Sequence, residues 1–492
     1  MLDPARQDAI RSAVLQACDA FRGICRPMDY RDLVLAMLMV RFLSDVASAH
    51  GSQAAVVSSD ASYWVPDEFR FGCLAAARNS ADPDLGERID SALAAIERAN
   101  SGLRDVFRGI SFNSTVLGNV EQKERVLGRL LDAIGVSALN FGESGGLANE
   151  GVAFTCDFLI RHTAEVGGRW GGEFYTPPEL SQLLARLMAP SGGEAIGDPC
   201  CGTGSLLIAC SQFARAGSGQ GGCSLFGQEK SGSTWALAKM NMVLHGETHH
   251  QLEWGDTLRA PKLLDASGGL RRFDVAVSSP PFSLHDWGHE MAERDIYQRY
   301  RRGVPPRMVG DYAFISHMVE TLAPETGRMA AVVTLGVLFR TGAERQIREQ
   351  LVHENLIDAV IALPTKMFAH TAIPVAILVL RKKKADDGVI FIDASDTYQH
   401  GKTQNVLRES DLSMIVDIYR QRQDVERYAR LVDPAEIAAN DFNLSVARYV
   451  AAAADEEAVD LDALRAERVQ LKSELARLEA KLSALLKEAG RA

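Results

Sequence analysis

Cysteine is sparse in this chain, and what there is follows no useful pattern. Eight cysteines in 492 residues show no regular spacing, and Cys200 and Cys201 are adjacent, which makes a poor disulfide pair. Free thiols in a reducing cytoplasm are therefore expected rather than a disulfide framework. Paired Cys or His at short, repeated spacing is missing too, so no metal is assigned. No apolar run reaches the length of a membrane span, and the longest, near Met329 to Phe339, is about half of one. Met1-Leu2-Asp3-Pro4 carries no basic segment leading into an apolar stretch, so no signal peptide is expected. The expected protein is soluble and cytoplasmic. Positive charge is also in deficit, at a formal net charge of −11. Phosphate contacts supply most non-specific DNA affinity, so a DNA-gripping chain of this charge would need a local basic face or a partner.

Composition places the chain among globular proteins, with 47% hydrophobic and 24% charged residues. Its length exceeds one ordinary core, so two or three domains are expected. Residues 1–150 read as a helical domain. Within it, apolar residues fill nearly every position of Arg31 to Asp45 between charged ends, the pattern of a helix buried on most sides. Gly142 to Gly151, rich in Gly, Ser and Asn, reads as a loop near a domain boundary.

Residues 151–385 change to short apolar runs alternating with helical stretches. Candidate strands lie at 226–228, 273–277, 329–333, 356–361 and 374–380. Alternation of this kind predicts an α/β, doubly wound sheet of Rossmann-like type, with ligands at the carboxyl ends of its strands. Residues 386–450 read as a mixed connecting region. In 451–492, Leu461, Leu464, Leu471, Leu475, Leu478, Leu482 and Leu485 fall three and four apart, with Arg468 the one charged seam position. That spacing is a coiled-coil seam facing a partner helix, or else a stripe folded back on its own domain.

Two motifs carry the chemistry. Asp198-Pro199-Cys200-Cys201-Gly202-Thr203-Gly204-Ser205 is a loop in which glycine lets backbone approach a nucleoside-bearing ligand, where a side chain at Gly202 or Gly204 would block it. Glu229 closes the next strand, placed like the ribose-binding acid of nucleotide-binding units. Gly255-Asp256-Thr257-Leu258 follows at another strand end, where Asp256 could accept from an adenine amino group. The second motif, Ser279-Pro280-Pro281-Phe282, is a rigid turn that can offer acceptors to an amino group and a ring face to a flat base. Upstream, Glu173 to Glu179 reads as a helix start with Thr176 as N-cap, Pro177 in the first turn and Glu179 three residues after the cap.

Residues 31–45, 172–180, 197–208, 227–246, 273–288, 335–341, 356–380 and 440–450 together resemble the modification (methyltransferase) subunit of type I restriction-modification systems. Supporting matches include Trp235 to Asn241 with His245-Gly246, Gly336 to Arg340, and Asn440 to Leu444 followed by Arg448-Tyr449. The resemblance implies a helical N-terminal domain, a catalytic domain using S-adenosylmethionine, and a C-terminal helix that docks on a separate specificity subunit. Two such chains would join one specificity subunit on DNA, sometimes with a restriction subunit. Cofactor contacts are implied at Glu173, Phe174, Tyr175, Thr176, Pro177, Asp198, Pro199, Gly202, Thr203, Gly204, Ser205, Glu229, Asp256 and Leu258. Ser279, Pro280, Pro281 and Phe282 would be catalytic. An exocyclic amino nitrogen is a poor nucleophile because its lone pair is delocalised. The Pro280 carbonyl and the residue-279 side chain would accept its hydrogens and free that pair, while Phe282 stacks on a flipped base.

Ser279 departs from the family, whose adenine-specific members carry Asn there. Serine at this position is familiar in enzymes that methylate the cytosine amino group. Adenine N6 is the first reading; cytosine N4 and a catalytically silent, cofactor-binding scaffold are the alternatives. Protein-amide methylation also uses a Pro-Pro-aromatic turn, but the helical N-terminal region and leucine seam argue against it. Arg294, Arg299, Arg301, Arg302 and Arg307, interleaved with Tyr297 and Tyr300, form the one basic-aromatic patch. It would contact DNA phosphates through Arg299, Arg301, Arg302 and Arg307, or else be a solvated loop.

Overall fold

The computed structural model describes residues 2–49, 54–58, 61–78, 84–142, 146–167, 175–218, 222–368, 371–401, 404–450 and 461–488. The chain divides into two compact units, Met1–Val450 and Ala451–Ala492.

The first unit is organised around a nine-stranded sheet. Its strands are β3 (Ala195–Asp198), β4 (Ser224–Glu229), β5 (His250–Trp254), β6 (Val275–Ser278), β7 (Arg328–Thr334), β8 (Ile357–Ala362), β9 (Val375–Arg381), β10 (Val389–Asp393) and β11 (Ala429–Val432). A separate two-stranded hairpin, β1 (Ala54–Ser58) with β2 (Ala61–Trp64), lies in the N-terminal region that the sequence marks as helical. Across the large sheet the order is β5-β4-β3-β6-β7-β9-β8-β10-β11. The five strands from β5 to β7 are mutually parallel. β9 inserts antiparallel to both β7 and β8.

Side-chain alternation shows why the sheet is wound on both faces. Val275 and Val277 of β6, with Ala330 and Val332 of β7, enter the core formed with helices Pro178–Met188 and Ser205–Ser218. Ala276, Ala331 and Val333 enter the opposite core, with Tyr312, Ile315 and Leu351 from helices Asp311–Glu320 and Ala343–His353. Period-two burial on both sides requires near-continuous apolar strands, and Val375 to Leu380 is buried throughout.

Three expectations about organisation change. The segment 386–450 is more than a connector: β10 pairs parallel with β8, β11 pairs antiparallel with β10, and together they complete the sheet. The boundary loop gives way early to helix Gly146–Val166. The N-terminal core also takes in Leu237, Met240, Val243 and Leu244 from helix Gly232–Leu244, so the helical region and the sheet region share packing. Helix Pro27–Ala49 is the buried helix its composition demands, with Leu33 to Val40 all inaccessible.

The second unit is the helix Leu461–Glu488. Leu471, Leu475 and Leu478 of its seam are all more than half exposed, while the side chains of Leu461, Leu464, Leu482 and Leu485 lie outside the described residues. Among the described residues no helix is long and apolar enough to cross a membrane, and no cluster of side chains suits a metal ion.

Candidate active site

Strand order sets the location. From β3 the chain moves to β4 and β5 toward one edge, and from the adjacent β6 it moves to β7 toward the other. The crevice at the carboxyl ends of β3 and β6 is the topological switch point, where open α/β sheets bind their ligands. Asp198 ends β3 and Ser278 ends β6, immediately before Ser279.

Asp198 is almost wholly buried. Its Oδ1 accepts from the Ser278 hydroxyl at 2.8 Å and from the Cys200 amide at 3.0 Å. The Cys200 thiol lies 2.9 Å from the same hydroxyl, so the ends of both strands meet in one polar cluster. Burial pushes the Asp198 carboxyl up to about 7 and the charge of Glu229 adds to this, while its two hydrogen bonds oppose the shift. Glu229, at the end of β4, accepts from the Gly202 amide at 3.1 Å and the Ser231 amide at 2.7 Å. Burial raises this carboxyl as well, against those backbone donors. The glycine loop is thereby pinned from beneath by a carboxylate with lone pairs still to offer.

Gly202 and Gly204 both adopt positive φ, +54° and +77°. At Gly204 a Cβ would come within 2.9 Å of Met242 Cε in helix Gly232–Leu244. The left-handed backbone at both positions, and close packing of the loop on the helix at Gly204, favour glycine here in addition to any approach of a ligand. Thr203 and Ser205 share a 2.8 Å hydroxyl contact, and the Thr203 carbonyl accepts from Asn241 at 2.9 Å.

After β5, Asp256 turns back on its own loop. Its Oδ1 accepts from the amides of Leu258 and Arg259, and its Oδ2 pairs with Lys230 Nζ at 2.9 Å. Those donors hold its carboxyl below the usual range despite partial burial. The Thr257 hydroxyl donates to the Pro199 carbonyl at 2.5 Å, tying the loops after β3 and β5 together. Leu258 is buried.

The Pro-Pro turn leaves the sheet with Pro280 buried and Ser279, Pro281 and Phe282 half-buried. Among the described residues the Ser279 hydroxyl has no hydrogen-bond partner. Phe282 meets Phe368 edge to face, at a centroid distance of 5.5 Å. Tyr175 and Thr176 are half-buried and Pro177 is buried, but the helix begins at Pro178 with Pro177 at the cap and no side-chain capping bond. Thr176 is therefore not the cap the sequence suggests. Glu173 and Phe174 lie outside the described residues.

The basic loop is corrected at two of its arginines, Arg299 and Arg302. Arg299 is buried; it pairs with Asp295 at 2.8 Å and donates to the carbonyls of Thr257 at 3.1 Å and Leu258 at 2.9 Å. It braces the loop that holds Asp256. Arg302 is buried between Glu320 and Glu354, 2.6 Å from each. Arg301, half-exposed, leans on the same two carboxylates. Only Arg307 of the four stands exposed with no acidic partner among the described residues. Tyr300 packs against Trp287 in a small core rather than facing a strand of DNA.

Ser278 and Cys200 were not singled out as functional by sequence reasoning. The available signal was a polar residue ending an otherwise apolar strand directly before the Pro-Pro turn.

A family model described as N-6 DNA Methylase matches residues 153–458, and one described as HsdM N-terminal domain matches residues 10–134. The chain belongs to the N-6 DNA methylase family. It is 27% identical to the type I restriction enzyme MpnII methylase subunit of Mycoplasma pneumoniae, over 93% of this chain and 92% of that protein. It is 34% identical to the MjaVIII methylase subunit of Methanocaldococcus jannaschii, over 62% of this chain and 54% of that one. The crystal structure of a type I restriction-modification methyltransferase subunit from Streptococcus thermophilus superimposes with a TM-score of 0.79 at 27% identity, covering 90% of this chain and 99% of that chain. The protein is thus a DNA methyltransferase of the type I modification-subunit group.

Proposed function

We propose that this subunit methylates the exocyclic N6 of adenine, using S-adenosylmethionine, within a DNA sequence read by a separate specificity protein. The residues fit that cofactor: acids end β3 and β4 and follow β5, and a pinned glycine loop lies between the first two. Asp198, Pro199 and Gly202 to Ser205 would hold the methionine portion, Glu229 the ribose, and Asp256 with Leu258 the adenine. Tyr175, Thr176 and Pro177, with Glu173 and Phe174, would cover it. When bound, S-adenosylmethionine supplies an electrophilic methyl group.

The chain's own contribution is to hold the target amine. The Pro280 carbonyl and the Ser279 hydroxyl accept its hydrogens, Pro281 stiffens the turn, and Phe282 stacks on the extruded base. The observation that carries this reading is the half-buried Ser279 hydroxyl, without a hydrogen-bond partner among the described residues and covalently next to Ser278, which is bonded to the cofactor-loop carboxylate. The same residue favours a second reading, cytosine N4, because a hydroxyl reaches less far than an asparagine amide.

Assembly follows from the terminal helix. Its exposed leucines would seat on a helix of the specificity protein, two copies of this subunit to one, with a restriction subunit as an optional further partner. The relatives' designation as subunits of restriction enzymes supports this. Mass spectrometry of nucleosides from DNA methylated by the reconstituted complex tests the target base. N6-methyladenine that Ser279→Asn preserves or raises and Ser279→Ala lowers is expected. N4-methylcytosine moves the reading to the alternative, and no methylated base at all moves it to a silent scaffold.

A further inference from the structure

The Pro-Pro turn ends in a strained residue. Ser283, directly after Phe282, sits at φ +52°, a left-handed conformation that a non-glycine residue adopts only when its surroundings impose it. The surroundings here are specific. The Ser283 amide donates to Asp311 Oδ1 at 2.9 Å, from the first residue of helix Asp311–Glu320. Asp311 is buried, and its other oxygen, Oδ2, receives Arg340 Nη1 at 2.9 Å. Arg340 also pairs with the buried Glu344 and reaches the Thr334 hydroxyl at the end of β7. Its own carbonyl is held by the fully buried Arg348 at 2.7 Å. Gly336 leaves the room this needs, since a Cβ there would lie 2.6 Å from the Arg340 guanidinium.

We infer that Asp311 is a positioning residue for methyl transfer: it fixes the backbone of the Ser279–Ser283 turn in its reactive shape, with Arg340 holding its carboxylate in orientation. The inference rests on the methyl-transfer reading for its kinetic consequence only. Among the described residues, Asp311 bonds to Ser283 and Arg340 and makes no hydrogen bond or ion pair with the cofactor loop, Glu229 or Asp256, so its effect belongs to the target-amine side of the site. A carboxylate that accepts from a backbone amide while ion-paired behind is a rigid anchor, and small displacements of a reacting group cost large factors in rate.

Hydrogen–deuterium exchange on the full chain tests the placement without any need for activity. In the isosteric Asp311→Asn, and more so in Asp311→Ala, the Ser283 amide should exchange about tenfold faster or more, with the strands of the sheet unchanged. In the assembled complex, kcat should fall about a hundredfold in Asp311→Ala, with cofactor affinity by calorimetry unmoved. Arg340→Lys should recover more of kcat than Arg340→Gln. Unaltered Ser283 exchange in a folded Asp311→Ala, which lacks the acceptor that Asn keeps, overturns the inference, as does a loss of cofactor affinity equal to the loss of turnover. A wild-type complex that transfers no methyl group would sink the proposed function, while the exchange result still judges the anchor.

Discussion

The Ser278 hydroxyl donates to Asp198 Oδ1 across 2.8 Å, joining the ends of β3 and β6 at the crevice where the sheet reverses its order. One short bond thereby connects the loop assigned to the cofactor with the turn assigned to the target amine. Its partner is a carboxyl raised from an ordinary 3.8 to about 7, chiefly by burial. A carboxyl raised on folding favours the protonated fold. Its stabilising contribution is complete below about pH 4 and is lost as pH rises through 7.

A cationic ligand beside Asp198 favours the ionised form, so cofactor binding near pH 6 should release a proton. Affinity should rise from pH 5.5 to pH 8 and then level off, with binding heats that depend on buffer ionisation enthalpy. Ser278→Ala removes a donor to the carboxylate. It should move the pH dependence upward and cost about 1–3 kcal/mol in stability at pH 8. Flat affinity across this range, with buffer-independent heats, would separate Asp198 from the ligand.

Gly204 offers a second test, because its constraint comes from the protein itself. Gly204→Ala places a methyl group against Met242 and demands φ +77° of a residue with a Cβ. A stability loss of about 1–3 kcal/mol is expected, read as a lowered Tm. Met242→Ala in the same background should recover the packing part of that loss. A variant that melts like wild type would show that neither the backbone conformation nor Met242 constrains this position.

The sheet was legible where strand and burial pattern coincide, and opaque where pairing decides. β6, β7 and β9 announce themselves as apolar runs because both faces are covered. β10 and β11 hide in a mixed segment because their membership rests on pairing with the distant β8, which no local pattern encodes. The glycine loop and Pro-Pro turn were readable since their backbone demands restrict residue type. The arginines misled because composition counts charge without showing what it faces. Arg299 and Arg302 are buried and satisfy carboxylates from elements distant in sequence or on the same turn.

That correction yields a third prediction. Arg299→Gln leaves Asp295 buried without its cation, at a cost of about 3–5 kcal/mol, and loosens the Thr257 and Leu258 carbonyls. Weakened cofactor affinity should result, while the salt dependence of DNA binding by the assembled complex stays as it was. Arg307→Gln should do the opposite, lowering the slope of log affinity against log salt by about 1 and sparing the cofactor. Equal salt slopes in wild type and Arg307→Gln would remove the basic loop from the DNA interface altogether.

The terminal helix gives the last prediction. Leu471, Leu475 and Leu478, four and three residues apart, expose 58%, 57% and 53% of their surface. An apolar stripe of that kind gains free energy only when another helix covers it, and knobs-into-holes packing tolerates no charge at its centre. Leu475→Lys with Leu478→Lys should therefore abolish assembly with the specificity protein, measured as loss of the complex by light scattering after size exclusion. Cofactor affinity and the Tm of the sheet unit should not change. Methylation of the defined site should fall with complex formation, since the chain's net charge of −11 gives it little unaided hold on phosphate. A chain ending at Val450 that still assembles and methylates one defined sequence at the full rate would show that the seam serves something else.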